Sequence, residues 1–154
     1  MTTQAETVTD LGGATFEAAD RLAIINLMGG YGATYDTGRM DDFRALFTDA
    51  SDFKFVRGGT VVGDGWGEMM PFLQARQAQA KADGSRNRHF TNSTICFTRQ
   101  DKAEAEGTFY AFIVAIRAGS PPLMGVTAEY EFTAVKTGDV WKFSRLIVNI
   151  DEGA

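Results

Sequence analysis

The sequence predicts an α+β chain of three N-terminal helices followed by a strongly curved antiparallel sheet that wraps around the long first helix. Three observations carry this. Apolar residues between Thr15 and Tyr35 recur at helical spacing, four long runs after residue 88 have the composition of strands, and the connections between those runs are short. Short connections join antiparallel neighbours, and one long apolar helix is the natural partner for the buried face of such a sheet.

The first helix is expected from Thr15 to Tyr35, with Leu22, Ile25, Leu27, Met28, Tyr31 and Tyr35 on its apolar face, and Asp36-Thr37-Gly38 as its stop. Glycines 29, 30 and 32 each cost roughly 1 kcal/mol relative to alanine in a helix interior, so close packing or room for a ligand must favour them. A second helix is expected over Met40 to Phe47, with Asp41 and Asp42 at its positive end and Phe43, Leu46 and Phe47 inward. Phe53 to Val56 and Thr60 to Val62, joined through Arg57-Gly58-Gly59, read as a tight hairpin. Asp64 is the expected cap of a third helix running to about Lys81, with Trp66, Met69, Met70 and Leu73 inward and Pro71 acceptable only near the first turn or at a kink. A polar loop is expected from Lys81 to Asn87. Strands are expected at His89 to Thr98, Ala103 to Arg117, Val126 to Lys136 and Val140 to Ile150.

At 154 residues, 44% of them hydrophobic and twelve of them Phe, the chain suits one domain with a sizeable core. The expected organisation is a tail over 1–14, a domain over 15–150 and a short tail over 151–154. A net charge of −5 with scattered basic residues argues against a nucleic-acid partner. The lone Cys96, inside a strand-like run, reads as a small buried hydrophobe, which fits a reducing, cytoplasmic setting. Met1 to Gly13 has no basic start or apolar core of a signal peptide, and no apolar stretch approaches the roughly 20 residues that span a bilayer, so no membrane partner is expected.

His89, the one histidine of the chain, stands in Arg88-His89-Phe90-Thr91-Asn92, and Asp36 closes the first helix. An imidazole oriented by a carboxylate is the minimum for proton transfer: one ring nitrogen donates to the acid, and the other takes a proton. Both residues also have plainer readings, Asp36 as a helix stop and His89 as a structural residue at a strand start. Tyr31, with Tyr35 as its rival, is the candidate donor to a developing oxyanion; either could equally be a core aromatic. Five residues subtend about 140° on an ideal helix, so a pocket fed by both Tyr31 and Asp36 requires the helix to end or distort near Gly32. Thr91, on the same strand face as His89, is a candidate pocket neighbour, and Tyr35, Phe55, Trp66 and Met70 are candidate substrate-binding residues. Neither a metal nor another cofactor is expected. One His and one Cys cannot form a usual zinc site, and Gly58-Gly59 and Gly63-Asp64-Gly65 lack the Lys and spacing of a phosphate loop.

The order of elements resembles the nuclear transport factor 2-like superfamily, within it the SnoaL-like branch, from about Phe16 to Ile150. The resemblance rests on Tyr31 and Asp36, Asp42-Phe43-Arg44-Ala45-Leu46-Phe47, Arg88-His89-Phe90-Thr91-Asn92, and Trp141-Lys142-Phe143-Ser144-Arg145-Leu146. It implies a cystatin-like α+β barrel, in which a cone-shaped curved antiparallel sheet is wrapped around the three N-terminal helices, with a deep pocket between sheet and helices. Pairs similar to Asp36 and His89 occur in scytalone dehydratase, dehydrochlorinase and bile-acid 7-alpha-dehydratase members. The resemblance therefore implies a cofactor-independent lyase, a dehydratase or related eliminating enzyme, acting on a small hydrophobic molecule such as a hydroxylated ring. An isomerase or polyketide-type cyclase with the same pair remains open, as does a non-catalytic ligand-binding or oligomer-scaffold module, because one fold hosts many functions. A homodimer or homotrimer is expected from the long apolar strands, Tyr110 to Ile116 and Leu146 to Ile150.

Overall fold

The computed structural model describes residues 6–7, 17–91 and 95–151. Three helices, α1 (Ala18–Asp36), α2 (Met40–Ala45) and α3 (Gly65–Ala82), pack with strands β1 (Glu6–Thr7), β2 (Phe47–Arg57), β3 (Thr60–Asp64), β4 (Ser85–Phe90), β5 (Cys96–Gln100), β6 (Glu104–Arg117), β7 (Leu123–Thr137) and β8 (Val140–Ile150). The single sheet runs β1-β5-β6-β7-β8-β2-β3, and β4 also pairs with β6. It is α+β, curved and unclosed. Register shifts at Phe55/Val56, Ile113/Val114 and Thr133/Ala134 bend the long strands toward the helices, as bulges do.

The pairing is antiparallel except between β2 and β8, which run parallel from Asp52–Arg145 to Arg57–Ile150. These two strands are separated by α3 and the whole meander, so no short connection dictates their direction. Of the stretch expected as an N-terminal tail, Glu6–Thr7 pairs with Gln100 and Arg99 of β5, and its other residues before Glu17 lie outside the described ones.

The face of α1 is Ile24, Leu27, Met28, Tyr31, Thr34 and Tyr35, spaced by three or four; Ile24, not Leu22, begins it. Leu22, expected inward, is exposed because two residues subtend about 200° on a helix and place it opposite Ile24. Gly32 lies where α1 crosses β4: a Cβ there would stand 3.0 Å from His89 Cβ and 3.4 Å from the His89 carbonyl oxygen. Close packing therefore explains this glycine. Gly58 and Gly59 adopt φ of 53° and 74°, the left-handed backbone that the β2–β3 turn requires.

Four further expectations are corrected. Ser85–Asn87, read as loop, is already strand, because these residues pair with Arg117–Ala115 of β6. The run from His89 to Thr98 is interrupted: β4 ends at Phe90 opposite Phe112, and β5 starts at Cys96 opposite Thr108, leaving more residues between the two strands than the facing segment of β6 can pair. Asp64 occupies the N-cap of α3 without a side-chain cap bond; its backbone N–H donates to Glu68 Oε2 at 3.3 Å, and Pro71 lies inside the helix. Cys96 is only half-buried.

Aromatic side chains fill much of the space between helices and sheet. Phe43, Phe47, Phe53 and Phe143 are fully buried in mutual contact, and Tyr130 stacks on Phe109 with ring centroids 4.6 Å apart. At its N-terminal end α1 is tied to the β7–β8 hairpin, where Asp20 Oδ1 accepts hydrogen bonds from Lys136 Nζ at 2.9 Å and Trp141 Nε1 at 2.8 Å.

Candidate functional site

The other end of α1 carries the site. Asp36 is the last residue of the helix, and both of its carboxylate oxygens are taken by one residue of β4. Oδ2 accepts the His89 backbone N–H at 2.8 Å, and Oδ1 lies 2.6 Å from His89 Nδ1. The two side chains are only 6% and 8% exposed, respectively. Gly32, one turn earlier, lets the helix approach β4 closely enough for this double bond.

Gripping the backbone amide and the ring together fixes the imidazole in orientation and in tautomer. In a neutral ring with its proton on Nδ1, that N–H donates to the carboxylate and the lone pair stands on Nε2. Among the described residues Nε2 has no hydrogen-bond partner. The ring is held edge-on between Tyr31 and Tyr35, with centroids 5.9 and 5.4 Å away.

His89 lines a cavity of about 580 Å³ between the concave sheet and the helices. Its apolar wall includes Phe55, Val62, Phe72, Ile113, Val126 and Ile150; its polar groups include Tyr31, Tyr35, Asn87 and Tyr130. Burial pushes the Tyr31 hydroxyl well above its ordinary range, with the interacting Tyr130 hydroxyl as a further cause. Burial likewise raises Tyr130. Both phenols are therefore neutral hydrogen-bond donors throughout the physiological range. Burial also raises Tyr35, against the opposing effect of Arg76, which bonds its hydroxyl.

The structure brings Asp36, His89, Tyr31, Tyr35 and Phe55 to one place. Asp36 itself is not on the cavity wall: it braces His89 from behind, so α1 continues unbroken past Gly32 and the expected distortion is not needed. Thr91 does not join the cavity. The chain leaves β4 after Phe90, and the buried Thr91 hydroxyl donates to the Met28 carbonyl at 3.3 Å. Trp66 and Met70 also stand outside the cavity wall. Trp66 packs on Phe47 and Phe53 and donates to Ser51 Oγ at 2.8 Å, while Met70 packs against the core. Asn92 lies outside the described residues.

Sequence reasoning missed Tyr130, Asn87, Arg57, Arg76 and Arg117, all on the cavity wall. The period-2 pattern Tyr130, Phe132, Ala134 marked an inward face of β7 and was the available signal for Tyr130. Asn87 shares the inner face of β4 with His89, on a stretch whose polar composition predicts a loop.

A family model for the SnoaL-like domain matches residues 17–147. The chain belongs to the SnoaL-like domain family. Solved structures show the same fold. A putative scytalone dehydratase from Novosphingobium aromaticivorans is 17% identical with a TM-score of 0.64, over 87% of this chain and 85% of that one. The β subunit of a putative aromatic-ring-hydroxylating dioxygenase from the same organism is 16% identical with a TM-score of 0.70, over 90% and 94%. A function-unknown protein from Mycobacterium tuberculosis is 23% identical with a TM-score of 0.68, over 92% and 80%. No curated protein matches the chain. In this SnoaL-like domain no group of three His, Cys, Asp or Glu among the described residues could hold a metal ion, and no described helix is long and apolar enough to cross a membrane.

Proposed function

We propose that this SnoaL-like protein is a cofactor-independent acid–base enzyme, a dehydratase or related lyase, acting on a small hydrophobic molecule such as a hydroxylated cyclic ketone. The observation that supports it is the 2.6 Å Asp36–His89 contact, buried at the wall of a cavity large enough for such a molecule. His89 Nε2 removes a proton from the carbon beside the carbonyl. The C–H electron pair becomes the enolate C=C bond as the carbonyl pair moves onto oxygen, where the hydrogen-bonded Tyr31–Tyr130 pair presents one neutral O–H to the developing charge. Collapse of that enolate forms the C=C bond and expels the β-hydroxyl, which leaves as water with the proton returned from Nε2. Asp36 stabilises the transient imidazolium without taking its proton. Isomerisation or ring closure by the same pair starts with the same abstraction and differs in where the electron pair ends.

The test is proton exchange and elimination by a panel of cyclic β-hydroxy ketones in D2O, followed by NMR. His89→Ala and Asp36→Asn should stay folded and lose exchange by about 10²–10⁴-fold, the usual contribution of a positioned acid–base group. Full activity in either variant contradicts the reading.

A scaffold reading has its own support. On the outer face of the sheet Phe90 stacks on Phe112 at 4.7 Å, and Tyr110 and Met124 are exposed on the same face. Such a patch fits a homodimer or homotrimer. The other strand expected to contribute does not, since Leu146, Ile147 and Val148 are buried. A monomeric mass in solution at high micromolar concentration contradicts self-association.

A further inference from the structure

The cavity wall carries a charge opposite to that of the protein. The chain has a net charge of −5, yet the groups lining the cavity include Arg57, Arg76 and Arg117 and no Asp or Glu. None of the three arginines forms an ion pair among the described residues, whereas Arg39, Arg99 and Arg145 elsewhere each do. All three are exposed, which puts them at the solvent side of the cavity, while His89 is at its buried side.

The register sets the scale. His89 faces Ile113, Asn87 faces Ala115 and Ser85 faces Arg117, so Arg117 lies on the same inner face four residues from the His89 rung, about 13 Å along the strand. Asn87, half-buried, stands between the two. Arg76 reaches in from α3 to the hydroxyl of Tyr35, whose ring touches His89. A ligand spanning the cavity thus meets an apolar wall along its body, an imidazole at the buried side and, toward solvent, guanidinium groups that have no ion-pair partner among the described residues. Unpaired cations at a low-dielectric cleft select anions, and a guanidinium fork matches a carboxylate or phosphate oxygen pair.

We propose that the ligand of this cavity is an apolar molecule bearing one oxyanion group, which Arg76 and Arg117 hold at the mouth while the body reaches inward to His89. Arg57, at the end of β2, adds to the positive field from the facing rim. The placement of the reacting carbon at His89 rests on the acid–base reading above; the oxyanion preference does not.

The experiment compares three probes of one shape by isothermal titration calorimetry: 2-naphthoate, the neutral 2-acetylnaphthalene and 2-naphthyl phosphate. The carboxylate should bind at least about tenfold more tightly than the ketone, the size expected of a charge-assisted pair, and its affinity should fall as salt rises. In the doubly substituted Arg76→Gln, Arg117→Gln protein that preference should vanish while the ketone binds as before. A phosphate preferred to the carboxylate supports the site and assigns a phosphate ester as ligand; the reverse order assigns a carboxylic acid. Equal or weaker binding of both anions than of the ketone, survival of the preference in the double variant, or no anion binding up to the probes' solubility overturns the proposal. Affinities are read without turnover, and His89→Ala, which stops exchange, should keep the charge preference. A failed acid–base assignment and a failed oxyanion site are therefore told apart.

Discussion

Helix α1 is tied to the sheet by a carboxylate near each extremity, and the two differ in burial and in what they bond: Asp20 is half-buried and Asp36 is almost wholly enclosed. Asp20 holds Lys136 and Trp141, a cation and an indole whose N–H does not dissociate in the physiological range. Asp36 holds the amide and the ring of His89, and the far nitrogen of that ring is free of protein partners among the described residues. Asp20 therefore closes a structural tie between helix and hairpin, and Asp36 orients a group able to move a proton at a cavity wall. The chemistry lies in the partner, not in the carboxylate.

The comparison breaks most visibly in activity. Asp36→Asn should cut turnover by about 10²–10⁴-fold through loss of the fixed tautomer, whereas Asp20→Asn should leave kcat within a few fold; parallel steady-state kinetics on one exchange substrate check both. Tyr31→Phe should cost about 10²-fold in kcat with a smaller change in KM, since it removes a donor that acts on the developing oxyanion. An unchanged kcat would leave Tyr31 as a core aromatic. Gly32→Ala sharpens the Asp36 side from behind: its Cβ would stand 3.0 Å from His89 Cβ, so helix and strand must part. A loss of roughly 1–3 kcal/mol in chemical denaturation, with activity falling further than stability, is expected.

The smallest effect belongs to Asp20. Side-chain hydrogen bonds from Lys136 and Trp141 hold its carboxyl below the ordinary carboxylate range. The stabilisation is accordingly full above the unfolded carboxylate value and is lost as pH falls through the lower folded one. Asp20→Asn should lower stability by about 1 kcal/mol at neutral pH and reduce the acid dependence of Tm. On the alkaline side, the hydrogen bond to Asp20 raises Lys136, so its contribution persists through neutrality and disappears only as pH climbs through the raised value.

The two ends of α1 were not equally legible in the sequence. Helices, hairpin and meander follow from local periodicity, and the bend of the sheet from the need to cover one long apolar helix. The pairing of Asp36 with His89 came from the resemblance, since no spacing rule joins residues on a helix end and a distant strand. Asp20 was not distinguished at all, because its partners lie on the β7–β8 hairpin and only the folded register brings them over the helix start. Thr91 was misassigned because the alternation of residues 89–98 continues on paper through a break in pairing. Trp66 and Met70 do face inward, but inward residues divide between core and cavity wall, and that division depends on which aromatic neighbours fill the space. The rim arginines were invisible for a related reason: Arg57, Arg76 and Arg117 come from β2, α3 and β6 and share only a cavity.

The central claim is that Asp36 fixes His89 with Nδ1 protonated and Nε2 bare. With one histidine in the chain, its ring 15N resonances are unambiguous in uniformly labelled protein, at a pH where the ring is neutral. The account predicts that the native protein shows Nδ1 as the protonated nitrogen and Nε2 as the unprotonated one, and that Asp36→Asn abolishes this preference. A native ring with the proton on Nε2, or the same tautomer populations in both proteins, would contradict it.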